Sequence, residues 1–233
     1  MLLDQAVPPE SLLARQRSIA ARAKDLSCEP GSLRCFELAA GGRLGVFRSA
    51  RIVPDDVAIM MRQVDDFDDI SGPSIGSVMS RVGWGTVSYP WVAKIFDEDG
   101  GVVAAGWATV IWWKQPRDGV HLGINASYAV ASHVRGQGLA QQCAAAALLG
   151  LIDEVPDLRP FPVNLQLRDR NAASAGVALS LGARPNPSAD FEVPSLGARY
   201  VAFSVPAQEM IPRLQEILLD AASQRECSMD RAR

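Results

Sequence analysis

The sequence predicts a single mixed α/β (α+β) domain with a mostly antiparallel sheet and helical extensions at both ends. Three observations lead there. Two hairpin signatures, at 34–47 and 91–113, supply antiparallel strands early in the chain. A third β-type run feeds a glycine-rich turn and then a long run of helix formers. A further strand follows that helix, so strands and helices interleave, and no internal repeat, low-complexity tract or linker divides them. With 233 residues and 48% hydrophobic content, the chain can fill one large core. The expected organisation is an N-terminal helical extension at 1–32, a core domain at 33–205, and a C-terminal helix and tail at 206–233.

Pro8-Pro9-Glu10 opens an amphipathic run to Leu26, with Leu12, Ile19 and Leu26 marking its apolar stripe. Arg34 to Leu38 and Arg43 to Phe47 flank Ala39-Ala40-Gly41-Gly42, where glycine supplies the positive φ of a hairpin turn. Pro54-Asp55-Asp56 suits a helix start, because proline and carboxylates both favour the first turn. The glycine-punctuated segment 71–85 is read as holding a short helix. WVAKIFD (91–97) and VVAAGWATVIWW (102–113) surround Glu98-Asp99-Gly100-Gly101, and a third run spans 121–130. Residues 137–153 are rich in alanine and leucine and contain no proline, as a helix requires. Residues 161–168 alternate apolar and polar side chains, giving a strand with two unlike faces. Asn171 caps a short helix ending near Gly182, 191–193 and 199–205 are closing strands, and 206–227 is a helix.

Composition excludes several function classes. Twenty-three basic against 26 acidic residues give a net charge of −3, so there is no broad electrostatic footprint for nucleic acid. Cys28, Cys35, Cys143 and Cys227 form no C-x-x-C pair, and with only His121 and His133 no metal-ligand spacing can be read. Cys143 reads as a small buried residue of the alanine-rich helix. The N-terminus carries an early acidic residue and no apolar h-region, and no stretch reaches the ~20 apolar residues of a membrane span. A cytoplasmic protein with no membrane association is expected.

The segment Val134-Arg135-Gly136-Gln137-Gly138-Leu139-Ala140 carries the chemistry. Glycines at 136 and 138 allow a sharp turn and close backbone approach to a ligand. The helix that follows begins with N–H groups lacking intrahelical partners, and these, the helix dipole and Arg135 together suit a diphosphate. The plainer reading is an ordinary tight strand-to-helix connection. A Walker A loop is excluded because Gly138 is followed by Leu139-Ala140 rather than Lys-Ser/Thr. A dinucleotide fingerprint is excluded because Gln141 stands at the third glycine position.

The run from Tyr128 to Ala140 resembles the signature of the GNAT superfamily of acetyl-CoA-dependent N-acetyltransferases, a strand and then R/Q-x-x-G-x-G/A opening a helix. Downstream, Leu165-Gln166-Leu167-Arg168-Asp169-Arg170-Asn171-Ala172-Ala173-Ser174 running to Leu181-Gly182-Ala183 is similar to the family's later strand and asparagine-opened helix. The resemblance implies a splayed parallel strand pair, with the strand ending at Val130 diverging from that at 163–168. It implies acetyl-CoA or another acyl-CoA as cosubstrate and no metal. Main-chain groups at Tyr128 to Val130 would pair with the pantetheine arm. The amides of Arg135, Gly136, Gln137, Gly138, Leu139 and Ala140 would hold the pyrophosphate, and Asn171 would lie beside the thioester or simply cap its helix. A backbone N–H near Val130 is the expected oxyanion donor.

The family's usual catalytic side chains are missing. The tyrosine it commonly places seven positions after the asparagine is here Ala178, the aromatic after Leu-Gly is Ala183, and 121–130 contains no Asp or Glu. Tyr128 and Ser174 are the candidate catalytic substitutes, with His133 and Ser180 behind them; the plain alternatives are a packed strand aromatic and surface polar residues. For the acceptor, Asp66 within Asp65-Asp66-Phe67-Asp68-Asp69 could steer a cation, and Arg168, on one strand face with Asn164 and Gln166, suits a carboxylate or phosphate. Both features have ordinary solvent-face readings. Trp107, Trp112 and Trp113 are read as packing residues. The expected activity is acyl transfer to a primary amine of a small molecule or amino acid derivative. The alternatives are a macromolecular amine acceptor, or a GNAT-fold acyl-CoA binder without turnover. The terminal helices are candidates for a homodimer contact.

Overall fold

The protein is described by a computed structural model covering residues 34–38, 42–48, 84–97, 99–115, 119–194 and 197–229. The expected helices at 10–26 and after Pro54, and the acidic run containing Asp66, lie outside the described residues. Among the described residues nine strands make one sheet. In chain order they are β1 (Arg34–Leu38), β2 (Gly42–Arg48), β3 (Trp84–Phe96), β4 (Val102–Gln115), β5 (Gly119–Val130), β6 (Pro162–Arg168), β7 (Arg184–Pro185), β8 (Phe191–Val193) and β9 (Ala198–Pro206). Three α-helices among the described residues accompany them: α1 (Leu139–Glu154), α2 (Ala172–Ser180) and α3 (Ala207–Met229). The spatial order is β1-β2-β3-β4-β5-β6-β9-β7, with β8 on β9.

Strands β1 to β5 form an antiparallel meander whose registers follow the two hairpin signatures, with Leu38 opposite Gly42 and Phe96 opposite Val102. At the second turn Gly100 has φ +84° and the Asp97 carboxylate accepts from the Gly101 N–H at 2.7 Å. β3 is longer than its sequence pattern indicated. It begins at Trp84, inside the segment expected to hold a short helix, and absorbs its irregularity as a register shift between Val87 and Trp91. β7 was not anticipated, since two residues are too few for periodicity to register.

One face of the sheet packs on α1. Along β4 and β5 the residues on that face are Ala104, Ala108, Val110, Ile124, Ala126 and Tyr128, and along β6 they are Val163, Leu165 and Leu167. α1 is buried almost all round, through Leu139, Cys143, Ala144, Ala145, Ala146, Ala147, Leu148, Leu151 and Ile152. Its alanines let it lie very close to the sheet: a Cβ on Gly106 would come within 2.6 Å of the Cys143 carbonyl carbon. Gly150 makes the same accommodation for the Trp91 ring. α3, expected as an extension, contributes Met210, Leu214, Ile217 and Ala221 to this same core. Trp107 is buried, as a packing residue should be; the side chains of Trp112 and Trp113 lie outside the described residues.

The feature that shapes the molecule is the junction of β5 and β6. They run parallel and pair only at Ile124–Val163 and Asn125–Asn164. Beyond that point β5 stays on β4 as far as Val130 while β6 stays on β9 as far as Arg168. The sheet therefore opens into a wedge whose closed end is the Asn125–Asn164 pair.

Candidate functional site: a cleft where the sheet splays

The glycine turn lies at the open end of the wedge. After β5 the chain makes one 3-10 turn (Ser132–Val134), and Arg135 is extended with φ −64° and ψ 154°. Gly136 and Gly138 follow with φ +82° and +77°, the left-handed region that costs other L-residues about 1–2 kcal/mol. Gly138 is the N-cap of α1, which starts two residues later than the composition of 137–153 suggested. No side chain caps this end and no acidic residue lies in its first turn. The first bond within the helix runs from the Gln142 N–H to the Gly138 carbonyl at 3.2 Å, so the N–H groups of Leu139, Ala140 and Gln141 have no intrahelical acceptor. Three aligned amides and the positive end of a 16-residue dipole are thus presented together.

A cleft of about 270 Å³ opens at these amides. Its floor is Tyr128 and Val130 of β5, its rim is Val134, Arg135, Gly136 and Gly138, and one wall is Leu139, Ala140 and Gln141 of α1. The opposite wall is Ala173, Ser174 and Val177 of α2. Residues 134–140 and 172–180 are separate in sequence and meet here because α2 follows β6 across the wedge.

The backbone of β5 is turned into that wedge. The Ala131 N–H donates to the Val103 carbonyl at 2.9 Å. In an antiparallel pair the hydrogen-bonded residues alternate, so Ala129 and Ser127 also bond β4, while Val130, Tyr128 and Ala126 direct their N–H and C=O groups away from it. On that side β6 has already diverged. An extended polar arm lying along β5 would meet edge-strand donors and acceptors, including the Val130 N–H expected to face a developing oxyanion.

The side chains are distributed as follows. The Tyr128 hydroxyl donates to the Ser174 carbonyl at 3.0 Å. Burial raises its pKa above 10.0, with the Ser174 hydrogen bond pulling more weakly the other way. Ser174 donates its own N–H to the Asn171 side chain at 2.9 Å, so Asn171 is the N-cap of α2, and it does not line the cleft. Gln137 is exposed and also outside the lining. Ser180 is committed within its own helix, donating to the Val177 carbonyl at 2.7 Å, and His133 is exposed. Arg168 is half-buried on the sheet face opposite α1, away from the cleft lining. Ala178 is fully buried in the core, and on α2 it is Val177 that reaches the cleft. Position 178 therefore presents no side chain to the cleft. Among the described residues no group of three His, Cys, Asp or Glu side chains could hold a metal, and no helix is long and apolar enough to cross a membrane.

Two residues with a place in the site were not singled out by sequence reasoning. Val177 lines the cleft, and Asn125 closes the wedge beside Asn164. Asn125 lies in a run whose alternation is interrupted by small residues, so neither periodicity nor a motif marks it.

No family model and no curated protein matches the chain. Among solved structures it is similar to an uncharacterized protein from Bacillus halodurans, at 12% identity and TM-score 0.51 over 83% of this chain and 100% of that one. It is also similar to RimJ of Mycobacterium smegmatis in complex with CoA-disulfide, at 19% identity and TM-score 0.48 over 80% and 94% of the two chains. A third is the spermidine/spermine N-acetyltransferase SpeG of Vibrio cholerae, at 10% identity and TM-score 0.44 over 76% and 99%. At these identities the likeness is one of fold. The mostly antiparallel sheet, its splayed parallel pair and the glycine turn before α1 have the arrangement expected from the GNAT resemblance.

Proposed function

We propose that the chain is an acyl-CoA-dependent N-acyltransferase, using acetyl-CoA and acting on a primary amine of a small molecule or amino acid derivative. One observation carries the reading: the uncapped N-terminus of α1 opens into a cleft floored by the edge backbone of β5. A ligand with a diphosphate at one end and an extended polar arm fits both parts. Leu139, Ala140 and Gln141 supply amides to the diphosphate, Arg135 supplies charge at the rim, and the glycines admit the phosphates close to the backbone.

In the reaction, the neutral amine attacks the thioester carbonyl carbon. A C–N bond forms, the C–S bond breaks, the electron pair leaves on the coenzyme sulfur, and the amine's extra proton passes to water. The Val130 N–H stabilises charge on the carbonyl oxygen. The Tyr128 hydroxyl, buried at the cleft floor, takes the place of the acid absent from position 178. Its raised pKa keeps it protonated at neutral pH, so it donates a hydrogen bond to the departing sulfur after leaving the Ser174 carbonyl. Ser174 positions that hydroxyl through its main chain.

The test combines titration calorimetry with acetyl-CoA and a thiol-release assay over an amine panel. Binding together with amine-dependent thiol release supports the transferase. Binding without release on any amine, small or macromolecular, would leave an acyl-CoA binder, and absence of binding would remove the reading altogether.

A further inference from the structure

The closed end of the wedge carries polar groups that the coenzyme reading does not use. Register sets Thr109 opposite Asn125, Asn125 beside Asn164, and Asn164 opposite Ser204. A single row of neutral hydrogen-bonding side chains therefore crosses four strands. Because Val110, Ile124, Val163 and Val205 belong to the core under α1, alternation puts the whole row on the other face of the sheet. The outer end is satisfied: Asn186 donates to the Ser204 hydroxyl at 3.0 Å, and the Ser188 hydroxyl donates to Asn186 at 2.6 Å. The inner end is not. Asn125 is 9% exposed and Asn164 7% exposed, and buried atoms Asn125 Oδ1 and Asn164 Nδ2 have no hydrogen-bond partner.

Buried polar atoms are nearly always paired, so two orphans on adjacent strands call for an occupant. One orphan is an acceptor and the other a donor. They stand at the point where β5 and β6 part, so an arm entering at the glycine turn and running back along β5 ends against them.

We propose that Asn125 and Asn164 position the acceptor. Asn125 Oδ1 accepts a hydrogen bond from the incoming amine, and Asn164 Nδ2 donates to an uncharged oxygen carried near that amine. The substrate class is then a primary amine with a neighbouring amide carbonyl or hydroxyl, rather than a polyamine, which carries no oxygen to accept from Asn164 Nδ2. This inference rests on the acyltransferase reading and adds no covalent step to it.

The experiment measures kcat and KM on the full chain for glycinamide, ethanolamine, propylamine and spermidine, alongside acetyl-CoA binding and melting temperature. Variants Asn125→Leu and Asn164→Leu remove the polar atoms at similar volume. The wild type is expected to favour glycinamide or ethanolamine over propylamine and spermidine by at least about tenfold in kcat/KM. Asn164→Leu should erase that preference by raising KM for glycinamide and ethanolamine, with acetyl-CoA affinity retained. Preference of the wild type for spermidine or propylamine overturns the proposal without needing a variant. So does an Asn164→Leu protein that melts lower yet keeps the glycinamide preference, which would make the pair a cross-strand structural contact. Acetyl-CoA binding with none of these amines turned over also overturns it, while leaving the coenzyme cleft standing. The underlying acyltransferase reading falls only if acetyl-CoA fails to bind or if no amine, small or macromolecular, releases thiol.

Discussion

Replacing Gly106 by alanine should destabilise the protein through a single methyl group. A Cβ at this position would lie 2.6 Å from the Cys143 carbonyl carbon, 2.7 Å from the Ala144 nitrogen and 2.8 Å from the Cys143 oxygen. All three are backbone atoms of α1, so no rotamer change relieves the clash. Restoring contacts of roughly 3.4 Å requires the helix to retreat by about 0.8 Å, and gaps of that size forfeit a quarter to a half of the local dispersion attraction. The layer that would loosen includes Ala144, Ala145, Ala147 and Leu148, all fully buried. Overpacking of this kind costs about 1–3 kcal/mol. For a chain of this size that is a fall in Tm of roughly 2–12 °C. Gly176→Ala is the matched control, because a Cβ there meets nothing within 4 Å and its helical backbone suits alanine. It should raise stability by about 0.4–1 kcal/mol. Thermal melts followed by circular dichroism measure both. A Gly106→Ala protein that melts with or above the wild type would refute the close seating of α1 on β4.

Gly138→Glu should abolish acetyl-CoA binding in calorimetry, since it adds a carboxylate and a Cβ where φ is +77° at an anion-binding helix end; undiminished affinity would contradict the site. Tyr128→Phe should lower kcat by about 10²-fold with acetyl-CoA affinity retained, and unchanged kcat would remove the tyrosine from the mechanism. Asn171→Ala should cost about 1 kcal/mol by uncapping α2, read as a lower urea midpoint at constant slope. Burial raises the Cys143 pKa above its ordinary 9.0, with a weaker opposing backbone hydrogen bond to Ile95, and burial raises Tyr128 likewise. In the alkaline range the unfolded chain therefore binds fewer protons than the folded one, and stability falls as pH rises. It should be fully present below about pH 8.5 and decline above it, with Cys143→Ala flattening the decline in denaturant melts.

The hairpins and the glycine turn were legible because each depends on residues one to four positions apart. Gly100, Gly136 and Gly138 all take the positive φ that their motifs demand, and Asn171 caps α2 as an asparagine opening a helix should. The end of β5 at Val130 and the helix after the turn follow from composition alone to within two residues. What local pattern could not reveal was which contacts form across long separations. Tyr128 meets Ser174 46 positions away only because β6 leaves β5 and carries α2 over the wedge. Asn171, read as lying beside the thioester or as a cap, and Arg168, read as suiting the acceptor or as a solvent-face residue, stand outside the cleft lining, while Val177 stands in it. Ala178 packs in the core rather than in the cleft. Asn125 and Asn164 are 39 residues apart, yet strand register makes them neighbours. Backbone dihedrals, caps and turns are decided by near neighbours, so this chain's sequence determined its hairpin turns, its left-handed glycines and its uncapped helix start. The splay and the side chains it brings together are decided by which hydrogen-bond ladders win along β4–β5 and β6–β9, and only the tertiary structure settles that competition.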